Sequence, residues 1–380
     1  MNKDEEKWVN DTWDKIDKKL QKVAVRSREK IPYTVDRNGV HDNQAKTQIC
    51  KWTNGFFGGM MWLMYAATKR DEYKQTARRS EELLDEAFKN YDKLHHDVGF
   101  MWHILSGANW KLTGDENARI RNLYAANILA GRYNIKGGYI TAWNDWDGED
   151  HRTWTIIDCM MNIPLLYWAS EEKGDDRYKY IAMAHADMAM KDHVREDGSV
   201  RHIVVHKHDS PGIVKVLGGQ GYDENSSWTR GTAWGLYGFT LSYIHTNKEA
   251  YLNTARKIAN YFIASSCNDW KVKADFRAPE EPVEYDSTAA VCAACGLLEL
   301  SKAVNVYESK IYFSAAVNLL KAVDENFCNY DTEVDYIVGM GTERYCCDVN
   351  DKAVHLPIIY GDYFFVEALT KLKNIDFLPW

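Results

Sequence analysis

From about residue 54 onward, the hydrophobic pattern of the chain repeats in pairs of helical stretches. The first stretch of each pair is apolar nearly all round and rich in small and aromatic residues, as in NGFFGGMMWLMYAATK. The second is amphipathic and charged, as in DEYKQTARRSEELLDEAF. A helix that is hydrophobic on every side belongs inside a protein, and one with a single apolar stripe belongs on its outer layer. The pattern recurs in CMMNIPLLYWASEEK with DRYKYIAMAHADMAMKDH, in TRGTAWGLYGFTLSYIHTN with EAYLNTARKIANYFIAS, and in STAAVCAACGLLELSKAV with SKIYFSAAVNLLKAVDENF. In all four pairs the second stretch carries Tyr-x-x-x-Ala: Tyr73 and Ala77, Tyr178 and Ala182, Tyr251 and Ala255, Tyr312 and Ala316. The i,i+4 spacing sets the ring and the small residue on one helix face. Residues 100–133 read as a looser pair.

The two ends of the chain complete the series. Residues 5–25 form an outer-type helix without a predecessor, and 360–373 an inner-type helix without a successor. Joined, they make a sixth pair. Six hairpins whose ends meet predict a closed ring, an all-α (α/α)6 barrel; an open solenoid would not need matching ends. No Pro-, Ser- or Gly-rich linker divides the chain, so residues 1–380 are expected to form a single catalytic domain.

Composition narrows the function. The net charge of −8 argues against nucleic acid as a partner. No stretch approaches the ~18 apolar residues of a membrane helix, and the charged N-terminal segment does not read as a secretion signal. The eight cysteines suit a reducing compartment, so the expected location is cytoplasmic. Fourteen Trp and 23 Tyr either fill a large core or offer faces on which sugar rings stack.

Polar and aromatic residues gather where the inner helices begin. Asp97 and Asp158 stand at the starts of neighbouring inner helices. Paired carboxylates at one cleft are the equipment of glycosidic acid/base chemistry, although helix capping explains Asp at such positions equally well. Asp158 lies between Trp-Thr-Ile-Ile and Cys-Met-Met, an apolar setting whose burial would raise its pKa. Arg230 could fork onto a carboxylate or form an ion pair. In VRHIVVHKHDS, strand alternation would set His202, His206 and His208 on one face. A metal site there lacks carboxylates at a known ligand spacing, so none is expected.

Four segments, HDVGF (96–100), IIDCMMNIPLLYWA (156–169), QGYDENSSWTRGTAWGLYG (220–238) and YGDYFFVEAL (360–369), occur in an order that resembles the unsaturated glucuronyl hydrolases of glycoside hydrolase family 88. The resemblance runs from about Trp52 to Leu369. It implies the same barrel and an enzyme that removes 4,5-unsaturated uronic acid from the non-reducing end of oligosaccharides left by polysaccharide lyases. The ligands implied are chondroitin, hyaluronan or heparin disaccharides, without metal or organic cofactor. By matching positions, Asp158 is the implied catalytic acid and Asp97 the second carboxylate, with His96 beside it. Gln220 and Arg230 are implied to bind the uronate; Trp52, Trp143, Trp228 and Trp234 to form sugar walls; and His202 to line the cleft. The implied reaction is hydration of the vinyl ether: protonation of carbon 4, addition of water at carbon 5, and opening of the hemiketal with loss of the aglycone. The alternatives are an unsaturated rhamnogalacturonyl hydrolase, a sugar epimerase using histidines on the same kind of barrel, and a helical scaffold. A scaffold would leave the clustering of Asp and Trp unexplained.

Overall fold

The computed structural model describes residues 1–145, 148–208, 212–346 and 352–380. Among these, twelve α-helices alternate between two layers. The outer helix α1 (Lys3–Arg26) is followed by the inner α2 (Phe56–Thr68) and the outer α3 (Asp71–Leu84). A π-helical segment, Gly99–Gly107, continues directly into α4 (Ala108–Thr113) as the second inner element, backed by α5 (Glu116–Ala130). The remaining inner and outer helices are α6 (Pro164–Lys173) and α7 (Asp176–Asp192), α8 (Thr229–Thr246) and α9 (Glu249–Ser266), and α10 (Ser287–Ala303) and α11 (Val306–Phe327); α12 (Ile359–Leu372) is the last inner helix.

The inner ring closes because α12 packs on both α10 and α2. The outer ring closes where Trp8 Nε1 of α1 donates to Asp324 Oδ2 of α11 at 2.7 Å. The expected (α/α)6 barrel is present, with the N-terminal helix paired to the C-terminal one.

The repeated tyrosine explains its own recurrence. Tyr73 donates to Asp17 of α1 (2.7 Å) and Tyr178 to Asn127 of α5 (2.9 Å). Tyr251 donates to Asp187 of α7 (2.8 Å) and Tyr312 to Asn260 of α9 (3.3 Å). In each case the hydroxyl clasps the preceding outer helix, while the alanine one turn on is buried and lets the helices approach. Close approach also fixes glycines. A Cβ on Gly55 would stand 2.2 Å from the carbonyl oxygen of Phe100, and one on Gly238 would stand 2.7 Å from that of Met160.

An aromatic column runs through the barrel. Trp52 stacks on Tyr360 with centroids 5.0 Å apart; Phe100 contacts both Trp52 and Trp234; and Phe364 stacks parallel on Trp380. Trp380 is buried, and its indole N–H donates to Glu367 at 3.0 Å.

Short strands supplement the helices. β1 (Tyr133–Asn134) pairs antiparallel with β2 (Tyr139–Ile140), and β3 (Trp154–Ile156), β4 (Ile203–His206) and β5 (Ile213–Leu217) form an antiparallel sheet with β4 in the centre. The strand expected in VRHIVVHKHDS is β4, and its sheet forms one wall above the inner-helix starts. Among the described residues, no helix is long and apolar enough to cross a membrane.

Candidate active site

The starts of the inner helices and the three-stranded sheet enclose a cavity of about 480 Å³. Its lining includes Asp97, Asp158, His96, His202, Gln220, Trp52 and Trp143. Seven of the ten residues expected from the sequence therefore converge on one space.

The segment preceding Gly99–Gly107 supplies His95, His96 and Asp97, and a single 3₁₀ turn, Ile157–Met161, supplies Asp158. Asn162 joins the two segments. Its amide donates to Asp97 Oδ1 at 2.9 Å and to the Asp158 carbonyl at 3.2 Å, and its oxygen accepts from Phe100 N–H. Neither carboxylate hydrogen-bonds a helix-end amide, so capping does not explain them.

Burial divides the pair differently from the sequence expectation. Asp97 is the enclosed member: desolvation, reinforced by the nearby Asp158 charge, holds its pKa well above the usual carboxylate range. Asp158 keeps 14% of its side chain exposed and faces His202, whose Nε2 lies 3.5 Å from Asp158 Oδ1. The deeper burial anticipated at Asp158 falls on Asp97, whose side chain is 9% exposed. His202 Nδ1 lies 3.0 Å from the Gln220 backbone N–H and 3.1 Å from the Gly218 carbonyl oxygen, which fixes the ring with Nε2 toward Asp158. Burial lowers the pKa of His95 to about 4 and that of His96 well below its ordinary value, so both rings are neutral at physiological pH.

Three expected residues lie behind the wall. Trp228 is buried under His202, with ring centroids 4.2 Å apart. Trp234 is buried in the aromatic column, packed at a tilt against Phe100 and Phe364. Arg230 is fully buried between Trp228 and Tyr360 and paired with Asp286 at 2.7 Å; it also donates to the carbonyls of Thr342 and Glu343. They lie at the start of α8, which is buried all round, and the carboxylate partner expected of Arg230 is supplied by the protein itself.

The histidines of β4 separate. His202 faces the cavity. His206, beyond a register shift after Val205, bonds Thr155 at 2.9 Å and stacks on Tyr139. His208 is exposed beside Asp150.

The sequence reading missed His95, Trp154, Glu343 and Arg344, which also line the cavity. Glu343 and Arg344 arrive on the connection between α11 and α12, where no periodicity marks them. Gln220 anchors that connection by donating to the Glu343 carbonyl at 2.7 Å. The Glu343 carboxylate accepts from the Tyr33 hydroxyl.

The profile of Glycosyl Hydrolase Family 88 matches residues 23–265. The chain belongs to this family. Its family 88 relatives include the unsaturated glucuronyl hydrolase of Bacillus sp. (strain GL1), 33% identical over 328 residues, covering 85% of this chain and 86% of that one. The unsaturated chondroitin disaccharide hydrolase of Streptococcus pneumoniae is 31% identical, over 98% of this chain and 93% of its own. The crystal structure of unsaturated glucuronyl hydrolase from Streptococcus agalactiae superposes with a TM-score of 0.90 at 28% identity, covering all of this chain and 94% of the other. As a family 88 member the protein is a glycosidase.

Proposed function

We propose that this family 88 enzyme releases 4,5-unsaturated uronic acid from the non-reducing end of lyase-generated glycosaminoglycan disaccharides. The observation that carries the reading is the meeting of Asp97 and Asp158 on one aromatic-walled cavity, joined through Asn162. In the proposed reaction Asp158, the carboxylate open to the cavity, protonates carbon 4. Positive charge then builds on carbon 5 and the ring oxygen. Asp97, whose retained proton passes to Asp158 as the first is delivered, is left ionised and stabilises that charge electrostatically. Water adds at carbon 5, the proton returns to the carboxylate pair, and the hemiketal opens to expel the aglycone. Trp52 and Trp143 offer faces to the sugar rings, and His202 orients Asp158. In this reading residues 1–380 act as one catalytic domain and work in the cytoplasm, a compartment in which free cysteines stay reduced.

The direct test follows the ultraviolet absorbance of the conjugated double bond with unsaturated chondroitin and hyaluronan disaccharides. Purified protein should bleach it, and chelator should not slow the reaction. Inhibition by chelator, reversed by added zinc, would overturn the metal-free chemistry.

The pH profile is a second test. Desolvation and the neighbouring Asp158 charge raise the pKa of Asp97, so a proton is retained at the site above the ordinary carboxylate range. The alkaline limb of kcat/KM should therefore fall well above pH 4–5, about where free carboxyl groups titrate. Activity lost with rising pH already in that range would show that the pair shares no retained proton.

A further inference from the structure

The tripeptide His95-His96-Asp97 brings three potential ligand atoms within 4.8 Å of one another. His95 Nδ1 and His96 Nε2 each stand 3.4 Å from the same oxygen, Asp97 Oδ2. Those separations are long for N–H···O hydrogen bonds, which cluster near 2.9–3.0 Å. These two separations are close to the edge of a zinc tetrahedron, and the two nitrogens, held within 4.8 Å of one another, would draw together around an ion. With Zn–N and Zn–O bonds of about 2.0–2.2 Å, ligand atoms lie roughly 3.3–3.5 Å apart. The other carboxylate oxygen, Oδ1, is already fixed by Asn162 at 2.9 Å, the kind of outer support that ligating carboxylates receive. All three residues face the cavity, which leaves room for a fourth ligand.

We propose that His95, His96 and Asp97 form an inhibitory site for a borderline-soft divalent cation, zinc in the first place. The bound cation takes Asp97 out of service and blocks the cavity, so the site turns the enzyme off; this consequence, though not the binding, rests on the functional reading above. The site is not built to hold a resident metal. His96 Nδ1 is buried without a hydrogen-bond partner, so the outer support usual for a ligating histidine is missing on that ring. Binding is therefore reversible and weaker than at structural zinc sites. Magnesium, which demands octahedral oxygen ligands, does not fit.

The experiment is calorimetric titration of zinc sulfate into chelator-dialysed, substrate-free enzyme, beside a rate assay in the same buffer. The expected result is one zinc per chain, with affinity lowered more than about tenfold in His95→Ala and in Asp97→Asn, since even outer-shell changes cost that much. Both variants should retain the wild-type circular dichroism spectrum, and a variant that does not is replaced by His95→Gln. His208→Ala, at the exposed histidine beside Asp150, should bind as wild type. Zinc should inhibit turnover over its own binding range and magnesium should not. Absence of saturable binding, unchanged affinity in folded His95→Ala and Asp97→Asn, or loss of binding in His208→Ala would overturn the site. Failure to turn over any unsaturated disaccharide would reject the functional reading and leave the calorimetric result standing.

Discussion

Asp158→Asn should abolish measurable turnover while the protein folds and binds the unsaturated disaccharide as before. An amide keeps the shape of the acid but cannot deliver its proton. General acid catalysis contributes about 10²–10⁴-fold, and the same group can accept the proton of the attacking water, so the loss should reach the upper end of that range or exceed it. The side chain makes few bonds on which the fold depends: Oδ1 is buried with no hydrogen-bond partner, and His202 Nε2 lies 3.5 Å from it. Stability should therefore change little. The measurement pairs the mutant's rate with its circular dichroism and its affinity for the disaccharide. In heavy water the wild-type product should carry deuterium at carbon 4, a label that an epimerase would not place there. A folded Asp158→Asn protein with near-normal turnover rejects the mechanism.

The barrel was legible because its information is periodic. Four Tyr-x-x-x-Ala repeats and two matching ends announced the ring, and the tyrosines proved to be clasps between successive outer helices. The carboxylates were legible because each stands just before an inner helix, and all such starts share one face. Two kinds of information were hidden. Glu343 and Arg344 reach the cavity on a non-periodic connection, of which residues 347–351 lie outside the described residues. The depth of a side chain below a wall was also invisible. Motif matching placed Trp228, Arg230 and Trp234 at the sugar site, yet α8 is buried on every side from Thr229 to Ser242, so a residue on it can support the wall without touching the cavity. Relative depth also escaped the sequence: Asp97, not Asp158, is the more enclosed carboxylate.

Arg230→Ala should consequently act first on stability. The guanidinium is the partner of Asp286, a carboxylate with no exposed surface, at 2.7 Å. Removing one member of a buried ion pair strands the other, at a cost of about 3–5 kcal/mol. Among the described residues, Asp286 then retains the amides of Thr288 and Thr342, at 3.1 and 3.2 Å, and the Thr288 hydroxyl. The same guanidinium ties down the carbonyls of Thr342 and Glu343, so the connection that carries Glu343 and Arg344 into the cavity loosens with it. Activity should fall as a consequence, with KM rising because the cavity wall is no longer held. Arg230→Lys should rescue only part of either effect: one ammonium can meet Asp286 but cannot also span two carbonyls in a fixed fork. Urea midpoints for the two variants, measured beside kcat and KM, separate the contributions. A wild-type midpoint in Arg230→Ala would mean that the ion pair does not anchor the wall. A large loss of affinity at unchanged stability would restore Arg230 to direct contact with the uronate carboxylate.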